Sequence, residues 1–188
     1  FIEILKMTES YVFRRAICEI PTNSLNKTFA VLKNKIDNND YLNSIKAYFV
    51  TLDSYKSFPK DDEFFTHFIE KDIYNMRIRN YILSKLERFK NKEKLDLASF
   101  TIEHIMPENE NLRNGWKEAL GENWKEIHNK YLHTIGNLTL TAYNSEMSDK
   151  SFSDKLKIDG GFKQSGLRLN NYIREQTEWN LCKIKERA

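Results

Sequence analysis

The sequence predicts an α+β fold in which helices predominate and a small sheet is confined to the second half. Two observations carry this expectation. Apolar residues recur at helical steps of three and four through residues 1–95. After them, residues 99–105 and 133–141 form two short segments, β-branched or flanked by aromatics, that read as strands.

The elements follow in order. After Pro21, Asn23 and Ser24 are available as caps, and Leu25, Phe29, Leu32 and Ile36 then repeat at steps of four, three and four, which predicts a helix. A second helix starts near Asp40, with Leu42, Ile45, Phe49 and Leu52 on one face. It should stop before Ser57-Phe58-Pro59, because a residue preceding proline disfavours the helical region. Asp61 or Asp62 can cap the next. Phe65, Ile69, Ile73 and Met76, then Ile78, Ile82, Leu86 and Phe89, sustain helical spacing over one long or two short helices. The charged run KNKEKLD, residues 90–96, breaks the pattern and sets the expected boundary, with a helical region at 1–95 and a second domain at 96–188. Between the two strands lie Trp116, Trp124 and Tyr131 at mixed helical spacing. Beyond Tyr143 the pattern is helical again, it breaks at Gly160-Gly161, and Leu169, Ile173, Trp179 and Ile184 predict a terminal helix over 167–187.

Composition narrows the classes. A chain of 188 residues with 40% apolar content can bury a core. No apolar run approaches the ~20 residues of a membrane span, and the opening FIEILKMTES has neither an initiator Met nor a signal layout. The expectation is a fragment of a longer cytoplasmic chain with no membrane partner. Cys18 and Cys182 stand far apart without companions, so neither a disulfide framework nor a Cys-based metal site is indicated. Thirty Lys+Arg against 27 Asp+Glu give a formal net charge of +3, which permits a nucleic-acid partner without demanding one.

Chemistry concentrates in four features that occur in one order: Glu103-His104 at a strand end, Gly136-Asn137 at the second strand, Asn144 at a strand-to-helix junction, and Lys150 in the helix. Together they resemble the HNH, or His-Me finger, nuclease motif. The strings TIEHIMPEN and IGNLTLTAYNSEMSDKSFSDK, the Trp-containing insert between them, and the later Trp179 and Arg187 resemble the C-terminal nuclease domain of GmrSD-type restriction endonucleases. The likeness runs from about Leu97 to the C-terminus, and YVFRRAICEIPTNSLNKTF is similar to the family's preceding helical region. The resemblance implies a ββα-metal core with added helices and a divalent metal ion, Mg²⁺ ahead of Mn²⁺. It implies DNA as partner, including modified phage DNA, and an upstream nucleotide-binding domain of the same chain, in a system of defence against foreign DNA.

Phosphodiester hydrolysis needs an activated water and stabilisation of charge on the phosphate and leaving oxygen, which one base and one cation supply. His104 is the expected catalytic base, since imidazole titrates near neutrality. Glu103 and Asn144 are the expected metal ligands, as hard cations take oxygen donors and keep several waters. In a regular strand Glu103 and His104 point to opposite faces, so a bend or bulge is required to bring both to one ion. A Glu where many HNH nucleases carry Asp lengthens the carboxylate, which then reaches the metal directly or through water. By the resemblance, Asn137 organises the loop after the first strand and orients His104, and Gly136 permits close approach.

Lys150 and Lys155 are candidate phosphate contacts, with solvated helix faces as the plain alternative. His133 is a candidate nucleic-acid contact whose alternative is a satisfied core position. Asn144 ahead of a helix is by default an N-cap and can be both cap and ligand. His67 and His128 fall in helical segments and are expected to take no catalytic part. The three Trp residues belong to the core before they stack on bases. Two rival functions stay open on the sequence: a catalytically silent DNA-binding or assembly module, and an RNA-cleaving nuclease.

Overall fold

The computed structural model describes residues 1–92 and 95–188. It is mostly helical with one two-stranded antiparallel sheet, an α+β chain. Among the described residues no helix is long and apolar enough to cross a membrane. The chain divides into two compact units, Phe1–Phe68 and Ile69–Ala188. The boundary expected at 95/96 falls within the second unit, and Glu93 and Lys94 of the charged run lie outside the described residues.

In the first unit, α1 (Ile2–Ile17), α2 (Leu25–Leu32) and α3 (Tyr41–Val50) are joined by short 3-10 turns. They surround a core of Tyr11, Ile45 and Phe49. All four residues of the predicted Leu25, Phe29, Leu32 and Ile36 stripe pack against that core, although α2 itself ends at Leu32. Ser24 caps nothing. Its hydroxyl accepts instead from Arg15 (2.7 Å), a buried guanidinium that also donates to the carbonyls of Tyr55 and Pro21. Burying a charge demands such partners, and they outrank a helix cap here. α4 (Asp61–Glu70) begins at the expected aspartates, but Phe65 is exposed, and Phe64 and Phe68 are the residues that meet Phe13.

In the second unit, α5 (Arg79–Arg88) buries Ile82 and Leu83 and leaves Leu86 partly exposed, one step off the predicted stripe. The buried Glu87 carboxylate accepts from the backbone N–H groups of Arg168 (2.9 Å) and Leu169 (2.8 Å), satisfying the start of a 3-10 turn. Strand β1 (Thr101–His104) pairs with β2 (Leu138–Thr141) in the register Thr101↔Thr141 to His104↔Leu138. Both strands are shorter than expected, and β2 starts late because residues 135–137 form a 3-10 turn that leads into it.

Between the strands lie α6 (Asn114–Leu120) and α7 (Trp124–Tyr131), and after them α8 (Asn144–Met147) and α9 (Phe152–Lys157). The predicted single terminal helix is broken into α10 (Asn171–Arg174) and α11 (Leu181–Arg187), with Trp179 on the connection. That break lets Trp179 lie fully buried among Phe152, Tyr172 and the rest of one continuous core with Trp116, Met147 and Ile184. Trp116 and Trp179 are thus core residues, as their spacing suggested.

Candidate active site

His104 closes β1, and the ladder continues one residue past it through Ile105 N–H to the Asn137 carbonyl (3.0 Å). Its ring is 6% exposed. Nε2 lies 3.0 Å from His133 Nδ1, and Nδ1 lies 3.8 Å from Glu108 Oε2. Tyr74 completes the aromatic setting: its ring meets His104 edge-on at 4.5 Å and stacks on His133 at 5.1 Å. Burial, and then the neighbouring His133, hold the His104 imidazole far below its ordinary range, at about 3. At neutral pH the ring is uncharged and carries a lone pair.

The loop that follows is fixed by residues remote in sequence. Asn137, fully buried, accepts the Met106 N–H at Oδ1 (2.8 Å) and donates Nδ2 to the carbonyls of Met106 (3.0 Å) and Leu132 (2.9 Å). Its Oδ1 also accepts from Trp179 Nε1 (3.3 Å). His128 Nε2 donates to the Pro107 carbonyl at 2.9 Å, so this buried histidine braces the same loop. Arg187 donates to the carbonyls of Ile135 (2.8 Å) and Gly136 (3.0 Å) and thereby holds the turn that carries Asn137. A Cβ at Gly136 would collide with the Ile184 carbonyl of α11, which is why glycine stands there.

On the other side of the strand, Glu103 is 3% exposed and its Oε1 accepts from Lys155 Nζ at 2.5 Å. Lys155 also donates to the His104 carbonyl (2.8 Å) and is itself fully buried. The expectation that Lys155 meets DNA phosphates is corrected by this placement. Phe152, Lys155 and Leu156 share the inward face of α9, and the ammonium is spent inside the protein. Burial pushes the Glu103 carboxyl up and the Lys155 ammonium down, each opposed by the charge of the other.

Asn144 opens α8 without capping it; its Nδ2 donates instead to the Ile102 carbonyl (2.6 Å) and fixes α8 beside β1. Lys150 lies between α8 and α9, not within a helix, and is half-exposed with Nζ on the Glu146 carbonyl (2.6 Å). His133 is half-buried between Tyr74 and His104.

The ladder runs through Glu103 and His104 without an extra residue, so the expected bulge is not present. The two side chains nonetheless line one cavity of about 370 Å³, because the strand ends at its mouth. Asn144, Tyr74, Glu108, Asn109 and Asp149 line it too. Carboxylate and carboxamide oxygens at one polar cavity suit a hard cation that retains its waters. Glu103 has a second oxygen beyond the one held by Lys155, and fixing Nδ2 of Asn144 leaves Oδ1 as an acceptor. Those two residues therefore present oxygen donors that a divalent cation could use at that cavity.

Tyr74, Glu108 and the bracing role of His128 had no advance signal except in part. Glu108 follows His104 at i+4, beyond the proline, and Tyr74 lies in a segment that reads only as helix stripe. Lys155 did carry a signal, its i+3 spacing from Phe152 next to Leu156.

In comparisons with known proteins, residues 58–188 match the family model described as GmrSD restriction endonucleases, C-terminal domain. No curated protein matches the chain. No solved structure matches it either.

Proposed function

Because the chain belongs to the family of C-terminal domains of GmrSD restriction endonucleases, we propose that it is a metal-dependent DNA endonuclease domain of the HNH type. In this reading β1, β2 and α8 form the ββα-metal core, and the domain acts in restriction of foreign DNA. The observation that carries the reading is the placement of His104 at the strand end, lining one cavity with Glu103 and Asn144 on a loop pinned at Met106 and Pro107.

In the tautomer that this reading requires, His104 donates Nε2–H across the 3.0 Å contact to His133 Nδ1, which leaves Nδ1 as the lone pair that accepts a proton from the attacking water. Tyr74 and His133 hold the ring in plane for that transfer. Asn137 and His128 act through the loop: they fix Ile105 to Pro107 and so the direction in which His104 points. Glu103 and Asn144 would hold a divalent ion, which when bound supplies charge stabilisation at the phosphate and leaving oxygen. Lys155 orients Glu103 and anchors the His104 carbonyl. Lys150, half-exposed, offers a cation to the phosphate backbone, as does the exposed Arg79, whose guanidinium lies over Tyr74 at 5.1 Å.

The test is cleavage of supercoiled plasmid DNA, with an RNA of matched length alongside, by the chain and by its His104→Ala variant, in Mg²⁺, Mn²⁺ and EDTA. Metal-dependent nicking of DNA that disappears in the variant is expected. Nicking that survives in a folded His104→Ala protein removes His104 as base, and cleavage confined to RNA removes DNA as substrate.

A further inference from the structure

A second set of donors combines His104 and Glu108, which line the same cavity as Glu103 and Asn144, with His133 beside them. One ligand atom each from His104, Glu108 and His133 lies within 4.8 Å of the others. The two imidazoles already meet at 3.0 Å, Nε2 to Nδ1. Two imidazole nitrogens and a carboxylate are a ligand set for Zn²⁺ and its neighbours in the first transition row, with a fourth position left to water. Metal-to-nitrogen bonds of about 2.0–2.1 Å place tetrahedral ligands roughly 3.3 Å apart. The rings are close to that spacing, and the adjustment falls to Glu108, whose side chain is 54% exposed and free to swing inward.

The imidazoles are held in advance. His104 is fixed by the sheet, and His133 by its stacking on Tyr74 and by its carbonyl, which accepts from the N–H groups of Ile73 (2.9 Å) and Tyr74 (3.2 Å). A flexible carboxylate closing on two fixed nitrogens loses little conformational freedom elsewhere.

We propose that His104, His133 and Glu108 form a site for a transition-metal ion of the Zn²⁺ class, distinct in its ligands from the Glu103 and Asn144 pair, and that filling it silences cleavage. The silencing half rests on the assignment of His104 as base; the binding half does not. The contact between the rings holds one N–H, and an ion seated there needs both lone pairs. The hydrogen passes through solvent to the other nitrogen of its own ring, so neutral rings bind the ion with no net release of protons. On His104 this turns Nδ1 from acceptor to donor, and a donor cannot take a proton from water. Mg²⁺ does not compete for this site, since it prefers oxygen ligands.

The experiment is a titration of the metal-free chain with Co²⁺, read by the visible absorption of tetrahedral cobalt, followed by displacement with Zn²⁺ in a calorimeter. One tetrahedral Co²⁺ per chain is expected. Affinity should fall at least about tenfold in His133→Ala and in Glu108→Gln, each checked for folding by circular dichroism, since even partners one shell further out are worth that much. Glu103→Gln and Asn144→Ala should bind Co²⁺ as the parent does. Absence of stoichiometric binding overturns the site, and so does binding lost in Glu103→Gln but kept in His133→Ala. Zn²⁺ added to a Mg²⁺-driven plasmid assay should stop nicking; tight binding with undiminished nicking overturns the silencing half. The cobalt titration needs no cleavage, so its failure is distinguishable from failure of the nuclease assignment.

Discussion

Lys155→Met separates an internal strut from a phosphate contact. Methionine keeps much of the length of the side chain and removes the charge, leaving the Glu103 carboxylate buried without the ammonium now 2.5 Å away and the His104 carbonyl without its donor. Removing one partner of a buried ion pair costs about 3–5 kcal/mol. In a chain of this size that lowers Tm by about 6–20 °C, at roughly 2–4 °C per kcal/mol. The double variant Glu103→Leu/Lys155→Met should recover most of the loss, because replacing both members of a buried pair with apolar groups is often close to neutral. Thermal unfolding followed by circular dichroism reads both values. A phosphate-binding lysine would behave otherwise: Tm would hold, and the salt dependence of DNA binding would become shallower. A Lys155→Met protein whose Tm stays within about 2 °C of the parent refutes the strut.

Gly136→Ala should destabilise the second unit by about 1–3 kcal/mol or more, since the new methyl meets the Ile184 carbonyl and lies 2.9 Å from Ile184 Cγ2; a denaturant titration with an unchanged midpoint would contradict that packing. Asn137→Asp keeps an acceptor for Met106 N–H and Trp179 but places a carboxylate against the carbonyls of Met106 and Leu132, so cleavage should be lost at temperatures where the protein is still folded, and retained cleavage would show that the loop does not need this amide. In the metal-free protein, His104 has a folded pKa of about 3 against an ordinary 6.5. The unfolded chain therefore takes the proton first, and its contribution to stability is lost as pH falls from 6.5 towards 3, by up to ~1.4 kcal/mol per pH unit. His104→Gln should flatten that part of the stability profile, and an unchanged slope would mean the imidazole titrates normally.

The sequence carried the order of the site but not its wiring. Glu103, His104 and Asn144 are legible as polar residues at a strand end or a strand-to-helix junction, and the three line one cavity, whereas Asn137 is buried behind it against Met106, Leu132 and Trp179. Strand lengths were overestimated because Ile135-Gly136-Asn137 has strand-like neighbours, while the Asn137 amide and Arg187 bind that stretch as a 3-10 turn. The terminal helix was predicted whole because periodicity does not register that Trp179 must turn inward to reach Asn137. Lys155 was misplaced for a related reason: a lysine is read as solvated until a buried carboxylate is known to stand opposite, and Glu103 is 52 residues away in sequence.

The same long-range wiring explains why the catalytic reading depends on α11. His104 points where the loop at 105–107 lets it point, and that loop has anchors at the Met106 backbone and at the Pro107 carbonyl. The Met106 anchor is Asn137, whose own carboxamide is oriented by Trp179 and whose turn is held by Arg187. The Pro107 anchor is His128 on α7. The segment between the strands supplies both anchors, and the segment after α9 supplies Trp179 and Arg187, which hold one of them in place, so neither is a removable decoration on the two-stranded sheet. A two-stranded sheet of four-residue strands cannot hold the His104 ring by itself. The buried polar groups that hold it have low-dielectric surroundings in which each lost partner is costly, and this ties the direction of the His104 lone pair to the packing of the C-terminal residues.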